Sequence, residues 1–441
     1  MKKKKTAVLN KVADNRAEYV GYCRYLNNPQ VKWKDVEREN NKHLSALCKG
    51  KHVLLINDTT EFNYNAHSGF LDSNDKDLGP TTDDKTIGFF CHPGLVVDSK
   101  TGMGLGFSYL KLWNRQWNKK DKYERDYKKQ SIEEKESYRW IECGIESKSV
   151  LQYASQITLI ADRESDIYEE FALVPDAHTH VIIRSRGDRV LSNENKKLHD
   201  ALATEEVKGV YDLTVKNTKK RKGRQTKIEV KYTTVSLRKP RNRNIGKDIP
   251  YGITVNVVEA KEIARNVPKG EKPIHWVLFT THTITCMEDA LQIIYWYSLR
   301  WQIELLFATI KSTGLDLESS ELESGSALKK LCVIALHVAL LINQLRQARD
   351  DESGIPASIA FSKKQIALLS ALVKQYEGKT EKQKNPHQIN SLAWASWIVA
   401  RLGGWKGYAC ESPPGNKTFK CGIDRFDAMF DGYLLYQQLC A

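Results

Sequence analysis

A chain of 441 residues with a formal net charge of +14 can bury a sizeable core, suits two to four structural units, and attracts polyanions. Its nine cysteines, at 23, 48, 91, 143, 286, 332, 410, 421 and 440, form no C-x-x-C pair, which argues against a zinc centre. No signal peptide or long apolar span stands out, so the sequence predicts reduced thiols, a cytoplasmic location and no membrane.

Residues 1–50 are expected to be mainly helical, opening on the Lys2 to Lys5 run, which suits an electrostatic arm or a solvated terminus. Strands follow at 52–57, 86–98 and 104–112, the last two joined through a turn at Asp98 to Gly102. In the first, Val53 to Ile56 is a continuous apolar run of the kind covered on both faces, and Asp58 comes directly after it. A helix is predicted from a Ser131/Glu134 capping box toward Tyr153. Ile157 to Ile160 is a second apolar run, ended by Asp162, with helix from Asp166 and a further strand at Val181 to Arg184. An Asp at a strand end also serves as an N-cap or turn residue. His178 and His180 share one strand face with no further ligand cluster in view and read as surface or core histidines.

Charge then concentrates. Between Lys216 and Lys247 stand thirteen basic residues against the single acid Glu229, a net of +12. The run includes Lys219, Lys220, Arg221 and Lys222 and sits among strand-like pieces at Thr226 to Leu237 and Ile253 to Val258. It reads as a basic β-rich insertion able to grip phosphates, or as a solvated loop.

Thr285 with Glu288 reads as a capping box, apolar periodicity runs from Trp296 to Ile310, and Gly314 supplies a stop, which together predict one helix. At about 100° per residue, Tyr297, Arg300, Glu304 and Lys311 fall within roughly 60° of one another. They form a stripe beside an apolar face of Trp296, Leu299, Ile303, Leu306, Phe307 and Ile310. Such a stripe suits a metal-holding carboxylate among phosphate-binding groups, and equally a helix laced by i,i+3 and i,i+4 ion pairs. Further helices are expected at 326–350, 362–376, 390–402 and 422–439, with Trp394, Trp397, Phe426, Phe430 and Tyr433 in the core.

The spacing Y-x2-R-x3-E-x6-K at Tyr297, Arg300, Glu304 and Lys311 resembles the YREK signature of the insertion-sequence type four family of bacterial cut-and-paste DDE transposases. The segment from Asp162 to Asp166 resembles the family's D-R-E-A-D, with Ser165 in place of Ala, and Ala400 to Gly404 resembles its C-terminal ARLGG run. The likeness runs from about Tyr22 to about Leu435.

This resemblance implies an α/β protein, with an RNase H-like core and a β-rich insertion, flanked by helical N- and C-terminal regions. The expected boundaries are 1–50 for a shortened helical DNA-contact region, 51–186 for the first part of the core and 187–284 for the insertion. The catalytic helix would occupy 285–320 and the helical C-terminal region, with dimer contacts, 321–441. Asp58, Asp162 and Glu304 would be the catalytic, metal-holding triad. Their hard oxygen ligands favour two divalent cations, Mg²⁺ or Mn²⁺. The implied partners are double-stranded DNA, as transposon ends and target, and a second copy of the chain, in a nucleoid-associated bacterial setting.

Tyr297, Arg300, Lys311, Arg163, Arg184 and Arg186 would approach the DNA. Trp276 stands where the family has an aromatic that stacks on a flipped base, although a Trp in an apolar strand also suits a core. Trp301 would wall the same pocket. Ser298 and Ala308 depart from polar or basic residues in some relatives. Asp58 arrives after only 57 residues, which leaves two alternatives in view, a shortened transposition inhibitor acting through dimerisation and a metal-dependent nuclease.

Overall fold

The computed structural model describes residues 7–13, 15–71, 75–117, 129–192, 196–218, 221–241, 244–311, 315–408 and 410–439. The Lys2 to Lys5 run, Lys219, Lys220, Arg243, Gly314 and Cys440 lie outside them. All eight cysteines within the described residues are free thiols.

Three helices open the chain, α1 (Leu9–Val12), α2 (Arg16–Asn27) and α3 (Trp33–Leu47). Strands β1 (His52–Asn57), β2 (Thr60–Asn63), β3 (Gly79–Pro80), β4 (Ile87–Asp98) and β5 (Gly104–Trp113) follow. Next come α4 (Tyr138–Val150), β6 (Gln156–Ala161), α5 (Tyr168–Leu173), β7 (Thr179–Arg184) and α6 (Leu198–Thr204). Strands β8 (Gly209–Val215), β9 (Arg224–Arg238), β10 (Gly252–Glu262) and β11 (His275–Thr280) precede the closing helices. These are α7 (Met287–Ser298), α8 (Trp301–Lys311), α9 (Gly325–Ala348), α10 (Lys363–Tyr376), α11 (Leu392–Leu402) and α12 (Asn416–Leu439).

One mixed sheet organises the molecule. Strands β1, β6 and β7 run parallel side by side, while β4 lies antiparallel on the other edge of β1 and carries β5 beyond it. The β4–β5 hairpin turns through Gly102, whose φ of +67° suits a residue without Cβ. Strand β11 joins β7 antiparallel over three residue pairs, and β10, β9 and β8 continue from it, so the predicted insertion extends the same sheet.

The continuous apolar runs follow from cover on both faces. Leu54 and Ile56 enter one hydrophobic core, whereas Val53 and Leu55, pointing the opposite way, enter a second. In β6, Ile160 faces the first core while Leu159 and Ala161 face the second. Strands with two buried faces leave no room for alternation with polar residues.

Several expectations need correction. The capping-box bond from Ser131 N–H to Glu134 is present at 2.8 Å, yet the helix starts only at Tyr138. The single helix expected from Thr285 to Gly314 is two. Its cap is Cys286 with Asp289, and α7 ends at Ser298 before α8 begins at Trp301. Across the break the backbone tightens to i→i+3 bonds, Arg300 N–H to Tyr297 O at 3.1 Å and Ile303 N–H to Arg300 O at 3.2 Å. No Gly or Pro marks this break in the sequence.

A second correction concerns the apolar span. Helix α9 is long and apolar enough to cross a bilayer, and 72% of its apolar stretch is buried within the protein. It packs on α2, α3, α8, α11, α12 and β5, so its hydrophobicity is that of a central core helix. A third core joins its C-terminal half to α10, α11 and α12. There α12 crosses α11 at Gly422, where a Cβ would lie 1.8 Å from Val399 O.

Candidate active site

Parallel pairing of β1 with β6 sets Ile56 beside Ile160, so the residues just past both strands, Asp58 and Asp162, emerge at the same edge of the sheet. Asp58 Oδ1 accepts from the Thr59 backbone N–H at 2.7 Å, and Asp162 Oδ1 accepts from Glu164 N–H at 2.8 Å. Helix α8 approaches from above. Arg300, at its entrance, donates to Asp58 Oδ2 at 3.1 Å and also to Glu304 one turn along. Burial, and then the nearby charge of Asp162, push the Asp58 carboxyl up to about 6, against the pull of Thr59 N–H and Arg300. The three acids named from sequence thus belong to one electrostatic neighbourhood.

The break between α7 and α8 disperses the expected stripe. Tyr297 is 4% exposed and sits inward, edge-on to Trp276 at 5.2 Å between ring centroids. Its phenol is hydrogen-bonded to Arg184, whose guanidinium also donates to His275 O at 2.9 Å. Burial raises the Tyr297 phenol pKa and lowers that of Arg184. Trp276 is half-buried beside the first core. Lys311, at the far end of α8, lies 3.9 Å from Glu318 and over the Phe62 ring.

Three predicted contacts are open to solvent: Arg163 on the turn after Asp162, Arg186 past β7, and Trp301, 58% exposed at the start of α8. Of the basic run, Arg221 and Lys222 occupy the approach to β9, where Lys222 N–H donates to Glu271 at 2.9 Å. Arg224 is spent internally, donating from Nε to Glu262 and from Nη1 to Glu271, each at 2.8 Å. Lys239 donates to the carbonyls of Gly246 and Ile249, and Lys231 to that of Leu202. The +12 read from sequence therefore overstates the charge free to meet a polyanion.

Sequence reasoning missed Arg139 on α4, which donates to Thr59 Oγ1 at 2.7 Å and to Glu164 Oε2 at 2.9 Å. No motif announces it. It also missed a histidine cluster at the opposite end of the same strands. His52 Nε2 and His282 Nε2 each lie 2.8 Å from Thr158 Oγ1, and His180 stacks on His282 at 4.1 Å.

Among the described residues, no three His, Cys, Asp or Glu side chains stand close enough to enclose one metal ion as arranged. The donor chemistry nonetheless fits hard divalent cations. Asp58, Asp162 and Glu304 offer only carboxylate oxygens, and the Arg300 guanidinium lodges between Asp58 and Glu304 as a stand-in cation. The Asp58 carboxyl is raised by burial first and by the charge of Asp162 second, and a bound cation would offset both.

Residues 146–341 match the family model described as the transposase DDE domain, a span that includes Asp162 and Glu304 and starts downstream of Asp58. The match supports a DDE transposase. Among solved structures, the chain is similar to piggyBac transposase in a synaptic complex with hairpin DNA, at 8% identity and a TM-score of 0.34. That likeness covers 86% of this chain, which spans 57% of the length of the other.

Proposed function

We propose that this chain, whose centre matches a transposase DDE domain, catalyses cut-and-paste DNA transposition with Asp58, Asp162 and Glu304 as its catalytic acids. One observation carries the reading: Arg300, bound to Glu304, reaches across 242 sequence positions to Asp58, which in turn feels Asp162 on the neighbouring strand. The sheet order β5-β4-β1-β6-β7, followed by the acid-bearing α8, supports the expected RNase H-like core.

The three carboxylates would hold two ions, Mg²⁺ or Mn²⁺, which when bound supply an activated water or 3′-hydroxyl and stabilise the departing oxygen at phosphorus. Arg300 is placed to exchange its carboxylate partners for a phosphate, which an Arg fork binds bidentately. Arg163 and Arg186, both exposed, would hold the backbone on the Asp162 side. The sequence of events is a nick that frees a 3′-hydroxyl, attack of that hydroxyl on the opposite strand to form a hairpin, opening of the hairpin, and strand transfer into target. Helix α12 leaves Leu435, Tyr436 and Leu439 exposed within roughly 100° of one another, a face suited to a second copy in the DNA complex.

The reading is tested on a labelled duplex carrying the terminal repeat that flanks the gene, incubated with the protein in Mn²⁺ and run on a denaturing gel. Nicked and hairpin products are expected. A nick alone would indicate a metal-dependent nuclease. Turning a base out costs a few kcal/mol, which stacking on an aromatic offsets. Trp276→Ala should therefore nick normally and accumulate nicked ends in place of hairpins, and equal hairpin yield would make Trp276 a core residue only.

Phosphate binding by the basic segment is read from the salt dependence of DNA affinity. Neutralising Lys219, Lys220, Arg221 and Lys222 should flatten the log–log slope by up to about 0.9 for each phosphate no longer neutralised. Arg224→Gln, which breaks a pair with the buried Glu262, should lower the melting temperature and leave the slope unchanged. An unaltered slope in the fourfold variant would show a solvated loop.

A further inference from the structure

We propose that Arg139 is a positioning residue that clamps the Asp58 turn to the Asp162 turn and so fixes the spacing of the two carboxylates; the inference rests on the two-ion reading above. Arg139 is the second residue of α4, and its side chain is 11% exposed. Each arm of the guanidinium has a fixed destination. Nε donates to Thr59 Oγ1 at 2.7 Å, Nη2 to Glu164 Oε2 at 2.9 Å, and Nη1 to the Glu136 carbonyl at 2.9 Å. The guanidinium also lies 5.4 Å from the centre of the Trp140 ring and 5.7 Å from that of Trp113, which limits its rotation.

The two residues it grips are the two that orient the acids. Thr59 gives its backbone N–H to Asp58 at 2.7 Å, and Glu164 gives its own to Asp162 at 2.8 Å. One planar cation therefore fixes both turns, and through them both carboxylates. The Thr59 side is braced further. Its oxygen accepts from Arg139 and is also hydrogen-bonded with His92 Nδ1 at 2.8 Å, on a ring packed edge-on against Trp140.

Adjacent strands stand about 4.8 Å apart, close to the roughly 3.5–4 Å between paired ions in two-metal sites. The strand ends alone nearly set the distance, and a tolerance of about 0.5 Å leaves the rest to whatever holds the turns. Among the described residues, Arg139 hydrogen-bonds to both turns. Lys, with one ammonium and no planar fork, cannot reproduce three divergent bonds.

The test uses the full chain and Mn²⁺ alone, with free ion measured by electron paramagnetic resonance and melting followed in parallel. Arg139→Gln and Arg139→Lys should each weaken Mn²⁺ binding by roughly 10- to 100-fold, the usual effect of removing a group that orients metal ligands from behind. Glu164→Gln should shift it in the same direction by less. Its side chain is 66% exposed, so this variant keeps the inference testable if Arg139 variants fail to fold. Combined with Arg139→Gln it should add little, because both act through one clamp. Wild-type affinity in Arg139→Lys, or a lowered melting point with unchanged Mn²⁺ binding in Glu164→Gln, would overturn the proposal. Absence of Mn²⁺ binding by the wild type would instead overturn the two-ion reading itself.

Discussion

Replacing Asp58, Asp162 or Glu304 by Ala should reduce DNA-end cleavage by at least about 10²–10³-fold, the scale on which preorganised charge at a reacting centre counts. Stability should not follow. Burial, and then the charge of Asp162, push the Asp58 carboxyl up to about 6, so its removal relieves a desolvation cost and a repulsion even as it frees one arm of Arg300. Asp58→Ala should melt at or near the wild-type temperature and still bind DNA, which separates a catalytic loss from an unfolded protein. The decisive variant is Glu304→Ala in Mg²⁺, because cleavage that survives there would end the DDE assignment.

Acid should destabilise the fold through the histidines opposite the active site. Burial, and then mutual charge with His180, hold His52 down at about 4 and His282 at about 3. Unfolded histidine takes its proton near 6.5, so between about 6.5 and 4 the unfolded chain binds more protons than the folded one. The stability these groups contribute is complete above 6.5 and lost as pH falls toward their folded values. The slope approaches about 1.4 kcal/mol per pH unit for each histidine. Buried acids act the other way. Burial raises Glu170 to about 8 and Glu37 to about 7, so their contribution is lost as pH rises above 4.5 toward those values. The comparison is therefore made as a difference. Denaturant midpoints of wild type and His282→Gln, measured from pH 7 to 4, should converge on acidification, and parallel curves would show that His282 is protonated alike in both states.

The parts of this molecule legible in sequence are those written in local pattern. Val53 to Ile56 and Ile157 to Ile160 announced doubly covered strands because their apolar residues divide between two cores, while Asp58 and Asp162 past them were singled out by the family resemblance. The strands at 52–57 and 104–112 and the helix at 362–376 match their observed bounds to within a residue. What escaped is long-range. The break at Leu299 and Arg300 carries no Gly or Pro, so a continuous 3.6-residue period ran through it and put Tyr297 on an open stripe instead of against Arg184 and Trp276. Arg224 and Lys239 looked like free charge because their partners, Glu262 and the carbonyls of a later turn, are known only once β9 is paired. Arg139 was invisible for the same reason, since its partners stand 80 and 25 positions away.

The order in which the site's parts occur along the chain also governs when it can exist. Asp58 and Asp162 leave the ribosome first, and Glu304 follows only after the whole of β8 to β11 has been made. At about 5–20 residues per second, the 242 positions between Asp58 and Arg300 take on the order of 10–50 s to synthesise. Once β6 has been made the nascent chain can pair it with β1, yet until α8 follows it lacks the helix that completes the carboxylate set. Under the proposed function, competence to cut is thus delayed by connectivity alone, and a chain stalled before α8 is expected to be unable to cleave.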